Sequence, residues 1–260
     1  MRDFVAIIGL DDNQAKVIAD EIHQPTVCHM VLPQIMVKDG QLLVENIGRP
    51  KYVPVNKVIF HGIYEDDLDF ITGLAFWRGD CVPHARAMLD LRLKLPGLIR
   101  ALEVTRFAEP MRGFASANAF FSADGERVAK WGNWHCGENK ERFNGSWRAS
   151  DPAVIEHFLA GDAVRIVIIG EQAWQIKLEG DTWLKSIHAD DAHFMPIDND
   201  LFLDTQHIKE HFGLQIIAND YIVSPDGSKH LLEVNHIPNV TRFPEIWEAY
   251  KAYVVDWANQ

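Results

Sequence analysis

Cysteine is scarce in this chain of 260 residues. There are three, Cys28, Cys81 and Cys136, and they form neither a repeated pair nor a Cys-x-x-Cys motif. This pattern excludes a disulfide scaffold and is typical of reduced thiols in a cytosolic protein. We therefore predict a cytoplasmic location.

Long apolar runs and an excess of positive charge are also missing. No run approaches the roughly 20 residues of a membrane span, and Met1 leads directly into a short apolar strand without the apolar core of a signal peptide. Lys and Arg total 25 against 37 Asp and Glu, which gives a net charge of −12. Nucleic acids and anionic membranes repel such a protein at long range, so we expect neither as a partner. A local basic pocket is still compatible with this charge.

The composition is that of a globular protein, with 47% hydrophobic and 24% charged residues. A chain of this length is long for one domain and sufficient for two or three small ones. The first unit is predicted over residues 1–84, as a small α/β domain. It contains a strand over Phe4–Leu10, a helix capped from within Asp11–Asn13, a strand over Lys57–His61 and a helix over Asp66–Trp77.

The rest of the chain alternates hairpins with helices, so we predict α+β architecture added to the α/β start. One helical stretch covers 85–95, is interrupted at Pro96-Gly97, and resumes to Leu102; further helices are predicted over 204–212 and 243–258. Three hairpins are predicted, with turns at Ser122–Gly125, at Gly170-Glu171 and at Ser224–Ser228.

The segment Leu231–Asn235 is the most informative for chemistry. Residues two apart on a strand share a face, so Glu233 and Asn235 point the same way while Leu232 and Val234 face the core. A carboxylate and an amide oxygen suit a hard cation such as Mg²⁺. The alternative is that Glu233 is a charge on an edge strand and Asn235 a turn residue.

Asp220, on the partner strand of this hairpin, is the third candidate ligand. A four-residue loop places it opposite Glu233, and a two-residue loop places it one diagonal step away on the same face. A three-residue loop would turn it to the opposite face. Two of these three registers bring three oxygen ligands together.

Basic residues supply candidate phosphate ligands. Lys130 ends a strand before a loop that contains Gly132 and Gly137, where a lysine beside backbone amides can cradle phosphate oxygens. The loop is not a Walker A motif, and most loops of this spacing are simple turns. Arg165 lies inside an apolar strand, where it must be paired. Lys94 is a phosphate lysine or a solvated helix charge, and two weaker candidates are Lys177 and Lys185.

Together these residues resemble the ATP-grasp superfamily over about residues 85–260. The order matches: a strand lysine before a glycine loop, a short apolar segment with an acid at Glu156, a hairpin opened by 161–165, and the strand of Asp220 paired with that of Glu233. The run from Glu233 to Asn239 resembles the Glu-x-Asn-x-x-Pro ending of the family, which is its most specific part.

This resemblance implies two small antiparallel sheets that clasp ATP, with a central subdomain over 85–158 and a C-terminal one over 159–260. Residues 1–84 match the small α/β domain that usually precedes them. The implied cofactors are ATP and one or two Mg²⁺ ions, with Mn²⁺ also compatible. The implied ATP contacts are Lys94, Lys130, Gly132, Gly137, Glu156, Phe158, Lys177 and Lys185. The implied catalytic residues are Lys130 and Arg165, and the implied metal ligands are Asp220, Glu233 and Asn235.

The implied reaction is the ATP-dependent joining of a carboxylate to an amine or thiol through an acylphosphate. Its substrates would be small molecules or peptides, and a homodimer is left open. A kinase that phosphorylates a small-molecule acceptor is the alternative. Trp134 and His135 crowd the glycine loop, where the family usually has small residues, and together with His236 they keep open roles in substrate contact.

Twelve histidines offer a rival interpretation. His188 and Asp190, with His230 or His236, match the two-histidine, one-carboxylate pattern of iron oxygenases. Those sites usually lie on all-β barrels, whereas this chain mixes helices throughout, so we favour surface histidines. A nucleotide-binding module without activity is a further alternative.

Overall fold

The computed structural model describes residues 3–108, 112–132, 139–180 and 182–260. A mixed sheet forms the N-terminal part, with strand order β2-β1-β5-β4-β3 and β6 paired to β5. Asp11 begins the first helix, because its carboxylate accepts from the amide of Gln14 at 2.8 Å, and Gln14 reciprocates. In chain order this part contains β1 (Phe4–Ile8), α1 (Asp12–Ala19), β2 (Thr26–His29), β3 (Ile35–Lys38), β4 (Gln41–Glu45), β5 (Tyr52–Phe60), α2 (Asp67–Trp77) and β6 (Asp80–Val82).

Two short helices follow, α3 (Ala85–Leu91) and α4 (Lys94–Leu102). The predicted interruption at Pro96-Gly97 is wrong, because the break falls earlier, at Arg92-Leu93. Proline lacks an amide hydrogen and its ring collides with the carbonyl four residues before it, which here belongs to Arg92. Pro96 therefore lies in the first turn of α4, where amides have no partner within the helix.

The second sheet is antiparallel, with strand order β7-β10-β8-β9. The predicted turn at Ser122–Gly125 is wrong, because these residues lie inside one long strand that pairs with residues beyond the glycine loop. A register irregularity between Ala123 and Arg127 absorbs the turn-forming residues, and Gly125 adopts φ +103° there. The strands are β7 (Gly113–Ala115), β8 (Phe120–Trp131), β9 (Lys140–Arg148) and β10 (Ala153–His157).

The third sheet is also antiparallel, with strand order β13-β12-β11-β14-β15. One long helix, α5, packs beside it; Asp198 caps its start, and Gly213 ends it with φ +66°. This helix begins five residues before the predicted start. The elements are β11 (Asp162–Ile169), β12 (Gln172–Lys177), β13 (His193–Met195), α5 (Asn199–Phe212), β14 (Ile216–Val223), β15 (Lys229–Asn235) and α6 (Pro244–Asn259).

A β-bulge in β15 sets the register that matters most. Val223 pairs with Lys229 across a five-residue loop, an odd length that alone would turn Asp220 away from Glu233. The register shifts by one residue between Asp220 and Tyr221, which restores the pairing of Asp220 with Glu233. The predicted pairing is confirmed, although the loop has five residues, a length that is not among the three considered.

The same bulge corrects the predicted core face of β15. Leu231 and Val234 are buried in the core between the third sheet and α5, whereas Leu232 lines a cleft next to Glu233. Because one extra residue is accommodated at the bulge, the usual alternation of faces is broken there. The expectation that Leu232 faces the core is therefore wrong.

The last helix packs against both the first and the third sheet. Tyr250 and Val254 of α6 pack in one apolar core with Ile7 of the first sheet and Val167 of the third sheet. The Lys57 ammonium also donates to the carbonyl of Trp257 at 3.0 Å, near the end of α6. The boundaries after residues 84 and 158 stay predictions. Within the described ranges, every helix is too short or too polar to cross a membrane.

Candidate active site

Two adjoining clefts contain most of the predicted site residues. The first cleft, of about 240 Å³, lies between the second and third sheets, and the second cleft, of about 480 Å³, lies between the third sheet and the carboxyl ends of β1 and β5. Both clefts are lined by Asp220, Glu233, Lys140 and Lys185. The predicted carboxylates therefore form the shared wall.

Lysine ammonium groups surround Glu233 at this wall. The Nζ of Lys94 lies 3.7 Å from Oε1 of Glu233, and that of Lys140 lies 3.9 Å from Oε2. Lys94 is 4% exposed, and its ammonium makes no hydrogen bond within the described part of the chain. Burial lowers the pKa of Lys140, an effect that Lys130 and Lys94 reinforce and that Glu233 opposes. Lys94 is thus directed at the site rather than solvated.

A buried ion triad lies on the second sheet. The Lys130 ammonium pairs with one oxygen of Glu156, and Arg112 donates through Nε to the other oxygen at 3.1 Å. All three side chains are at most 7% exposed. Glu156 lines the first cleft, but its carboxylate is engaged by these two cations.

Arg165 and Asp220 face each other across neighbouring strands. The guanidinium donates through Nε to Oδ1 at 2.6 Å and through Nη2 to Oδ2 at 2.8 Å. Burial lowers the pKa of Arg165, but Asp220 and the nearby Glu233 more than offset this, so the net shift is upward. The expectation that this arginine must be paired is confirmed by the geometry.

Part of the lining of the first cleft is apolar and aromatic. Phe158 contacts Trp183 edge to face with 6.2 Å between ring centroids, and the guanidinium of Arg142 lies 3.7 Å from the Phe158 centroid. Leu159 and Leu232 add further apolar lining to this cleft. Such a surface suits a flat, polarisable group on which rings stack.

The predicted metal ligands are neighbours in the third sheet. Asp220 pairs with Glu233, and Asn235 follows on the same strand beside the second cleft. No group of three His, Cys, Asp or Glu side chains close enough for a metal occurs among the described residues. The available set is two carboxylates and one amide, which suits a cation that keeps water or phosphate ligands. The described residues give no support to the histidine–iron alternative.

Several predicted residues have other locations. Lys177 lies outside both clefts, and its ammonium is 3.2 Å from Asp162, so the geometry does not bring it to the site. Lys185 lines both clefts and donates to the Gly180 carbonyl at 2.6 Å. Gly132 has φ +72° at the end of β8. Gly137, Trp134, His135 and Cys136 lie outside the described residues.

His236 is fully buried and does not line the second cleft, although its neighbours Asn235 and Ile237 do. The expectation that it faces an acceptor is therefore not supported by its position. Strand alternation explains this, because consecutive residues at the end of β15 point to opposite sides.

Sequence reasoning missed Lys140, Arg112 and Trp183. Lys140 pairs with Lys130 across β8 and β9, a register hidden by the wrong turn at Ser122–Gly125. Trp183 could have been found from the sequence, because it is an aromatic residue two positions before the candidate Lys185. No local pattern identified Arg112, because its partner Glu156 is 44 residues away.

His61 lines the second cleft and packs against Tyr250 with 5.2 Å between ring centroids. Burial lowers its pKa to about 4 from the usual 6.5. The unfolded chain therefore takes up a proton before the folded one, and His61 contributes stability above about pH 6.5 that is lost as the pH falls towards 4. The full contribution is on the order of 3 kcal/mol.

We expect the free energy of unfolding of His61→Gln to fall less than that of the native protein between about pH 7 and pH 4.5. Urea unfolding at each pH measures this. His207→Gln, on an exposed position of α5, is the control and should follow the native protein. Parallel curves for His61→Gln and the native protein would contradict the assignment.

No protein-family model matches the sequence, and no curated protein matches it significantly. Solved structures do match. D-alanyl-alanine synthetase A from Vibrio cholerae superposes with a TM-score of 0.67 at 10% identity, covering 99% of this chain and 97% of that one. The ATP-grasp ligase PsnB, complexed with a minimal precursor, Mg and ADP, gives 0.64 at 13% identity over 99% and 97%. This chain has the ATP-grasp fold.

The macrocyclase MdnC of Microcystis aeruginosa, bound with the precursor peptide MdnA, also matches, with a TM-score of 0.60 at 15% identity over 96% and 99% of the two chains. The predicted ATP-grasp fold is therefore confirmed, and the matched structures cover 96–99% of this chain. At these identities the likeness establishes the fold alone.

Proposed function

We propose that this chain is an ATP- and magnesium-dependent ligase that joins a carboxylate to an amine or thiol. The observation that carries the proposal is the gathering of Lys94 and Lys140 around Glu233, with Lys130 lining the first cleft beside Glu156. A protein with net charge −12 concentrates these cations in one largely buried place. Such a cluster suits a polyphosphate, whose charge it offsets without reorganisation.

The shape of the first cleft supports ATP as that polyphosphate. Phe158 and Trp183 offer aromatic surface for the adenine ring, and the same cleft is lined by Lys130, Lys140 and Lys185. The buried ammonium of Lys94, which makes no hydrogen bond among the described residues, gains a partner when a phosphate oxygen enters.

Glu233 and Asn235 are the residues that would hold Mg²⁺. Asp220 lies opposite Glu233 and is hydrogen-bonded by Arg165. When bound, the ion offsets negative charge on the phosphate oxygens and orients them for transfer. The chain's part is to keep these oxygen donors on one face of the sheet, which the bulge in β15 achieves.

The second cleft would hold the substrates against the same carboxylate wall. A substrate carboxylate oxygen attacks the γ-phosphorus of ATP, and the bond to the ADP oxygen breaks, giving an acylphosphate and ADP. An amine then attacks the acyl carbon, inorganic phosphate leaves, and the nitrogen loses a proton. Lys140 and Arg165 line this cleft and can stabilise the charge that develops on the transferred group.

Peptides and small molecules are both candidate substrates. The PsnB and MdnC structures contain precursor peptides, whereas D-alanyl-alanine synthetase is named for a dipeptide product. The second cleft of about 480 Å³ can accommodate a small acceptor or the end of a peptide. A homodimer and a cytoplasmic location stay predictions.

ATP with Mg²⁺ is expected to raise the melting temperature. At about 100 times its Kd, a ligand selective for the native state stabilises by about 2.7 kcal/mol, or roughly 5–10 °C for a chain of this size. Lys94→Ala should lose most of this shift because it removes a buried phosphate partner. Lys177→Ala is the matched control and should retain the shift, since the Lys177 ammonium pairs with Asp162 and Glu179 rather than with Glu233. No shift at millimolar ATP in the native protein would refute the proposal.

Product analysis separates ligase from kinase. A ligase releases ADP and inorganic phosphate only when a carboxylate and an amine are both present. A kinase releases ADP with an acceptor alone and leaves the phosphoryl group on that acceptor. A screen of acids and amines, with phosphate release as the readout, therefore tests the reaction class.

A further inference from the structure

Arg112 connects the second sheet to the third. Its Nε donates to Oε2 of Glu156 on β10 at 3.1 Å, and its Nη2 donates to the carbonyl of Leu231 on β15 at 2.7 Å. The side chain is 7% exposed and lines neither the first nor the second cleft. A guanidinium suits this position because its planar donors can serve two acceptors at once.

The Leu231 carbonyl is accessible because it lies at the bulge of β15. The Leu231 amide donates to the carbonyl of Phe107 at 2.9 Å rather than to β14, and the Leu232 carbonyl accepts from the Lys130 ammonium at 3.4 Å. A bulge disrupts the ladder locally and leaves backbone groups for such partners. Arg112 thus donates to the carbonyl of Leu231, and Lys130 donates to the next carbonyl, that of Leu232.

Glu156 links these two cations, with one oxygen on Lys130 and the other on Arg112. We propose that Arg112 is a positioning residue that fixes Lys130 for the phosphates of ATP, by holding Glu156 and by anchoring both to the bulge at Leu231. This inference rests on the proposed function.

Loss of Arg112 would remove one of the two cations that pair with Glu156. Among the described residues, the carboxylate would keep only Lys130, and Lys130 would be the one remaining side-chain donor to the bulge carbonyls. The ammonium of Lys130 would then be drawn more strongly to Glu156 and be less available to a phosphate oxygen. Nucleotide affinity should therefore fall although Arg112 itself does not touch the nucleotide.

The test is a double-mutant cycle read by calorimetric titration with AMPPNP and Mg²⁺. Arg112→Met should weaken AMPPNP binding about tenfold in the native protein, within the range of residues that orient a ligand-binding group. In the Glu156→Gln background it should cost less than about twofold, because the route from Arg112 to Lys130 is already broken. Equal losses in the two backgrounds would overturn the positioning role.

Arg92→Met is the matched control for stability. Arg92 forms a buried ion pair with Asp67 at the end of α3, so its removal destabilises the chain in a similar way. AMPPNP affinity should stay within about twofold of native; a tenfold loss would mean that destabilisation alone explains the Arg112 result and would overturn the inference.

Two outcomes keep the inference separate from the proposed function. If Arg112→Met does not fold, Arg112→Lys replaces it in both backgrounds, because a lysine keeps the charge but lacks the planar donors that serve Glu156 and the Leu231 carbonyl together; equal losses in the two backgrounds would again refute the positioning role. If the native protein does not bind AMPPNP, the proposed function itself fails. Binding by the native protein with additive losses refutes only the role of Arg112.

Discussion

Glu233→Gln is expected to change ATP binding and turnover in opposite directions. Without Mg²⁺, the variant should bind ATP about fivefold more tightly than the native protein, because a negative charge that repels the phosphates is removed beside Lys94 and Lys140. With Mg²⁺ and substrates, ADP release should fall by roughly 10²–10³-fold, because a neutral amide replaces the carboxylate that would hold the ion.

Calorimetric titration with and without Mg²⁺ measures the first effect, and ADP release in the substrate screen measures the second. Glu248→Gln is the control, since this exposed glutamate on α6 pairs only with Lys251 among the described residues and lies outside both clefts. Native turnover in Glu233→Gln, or weaker binding of metal-free ATP, would remove Glu233 from the proposed site.

Local sequence patterns were sufficient to predict Glu233 as a candidate metal ligand. Glu233 and Asn235 are two apart on a short strand, and their shared face follows from strand geometry alone. Asp220 could be assigned to the partner strand because the turn at Ser224–Ser228 is rich in turn-forming residues. The order of such elements resembles that of the ATP-grasp superfamily, and the solved structures confirm the fold that this resemblance implies.

The remainder of the site depends on register and distant pairing. The bulge that directs Leu232 into the first cleft is stabilised by Phe107 and Arg112, which lie more than 100 residues earlier in the chain. Lys140 enters the site only because β8 continues through Ser122–Gly125 and pairs with β9. A single sequence contains no local signal for either arrangement, since both depend on tertiary contacts.

The Arg165–Asp220 pair is a buried ion pair that also lines the second cleft of the proposed site. Both side chains are about one-eighth exposed, and the two hydrogen bonds occupy both carboxylate oxygens. Removal of one member of a buried pair leaves an uncompensated charge and typically costs about 3–5 kcal/mol. In Arg165→Met that charge is Asp220, which lies opposite Glu233, so repulsion between the two carboxylates adds to the cost.

Arg165→Met is therefore expected to lower the melting temperature by roughly 10 °C, measured by calorimetry without nucleotide. The double variant Arg165→Met/Asp220→Asn should recover most of this loss, because neither partner is then charged, yet it should stay inactive in ADP release. Recovery of stability without activity would separate the structural role of the pair from its proposed role beside the phosphates. A native melting temperature in Arg165→Met would contradict the buried pair, and an active double variant would exclude both residues from the reaction.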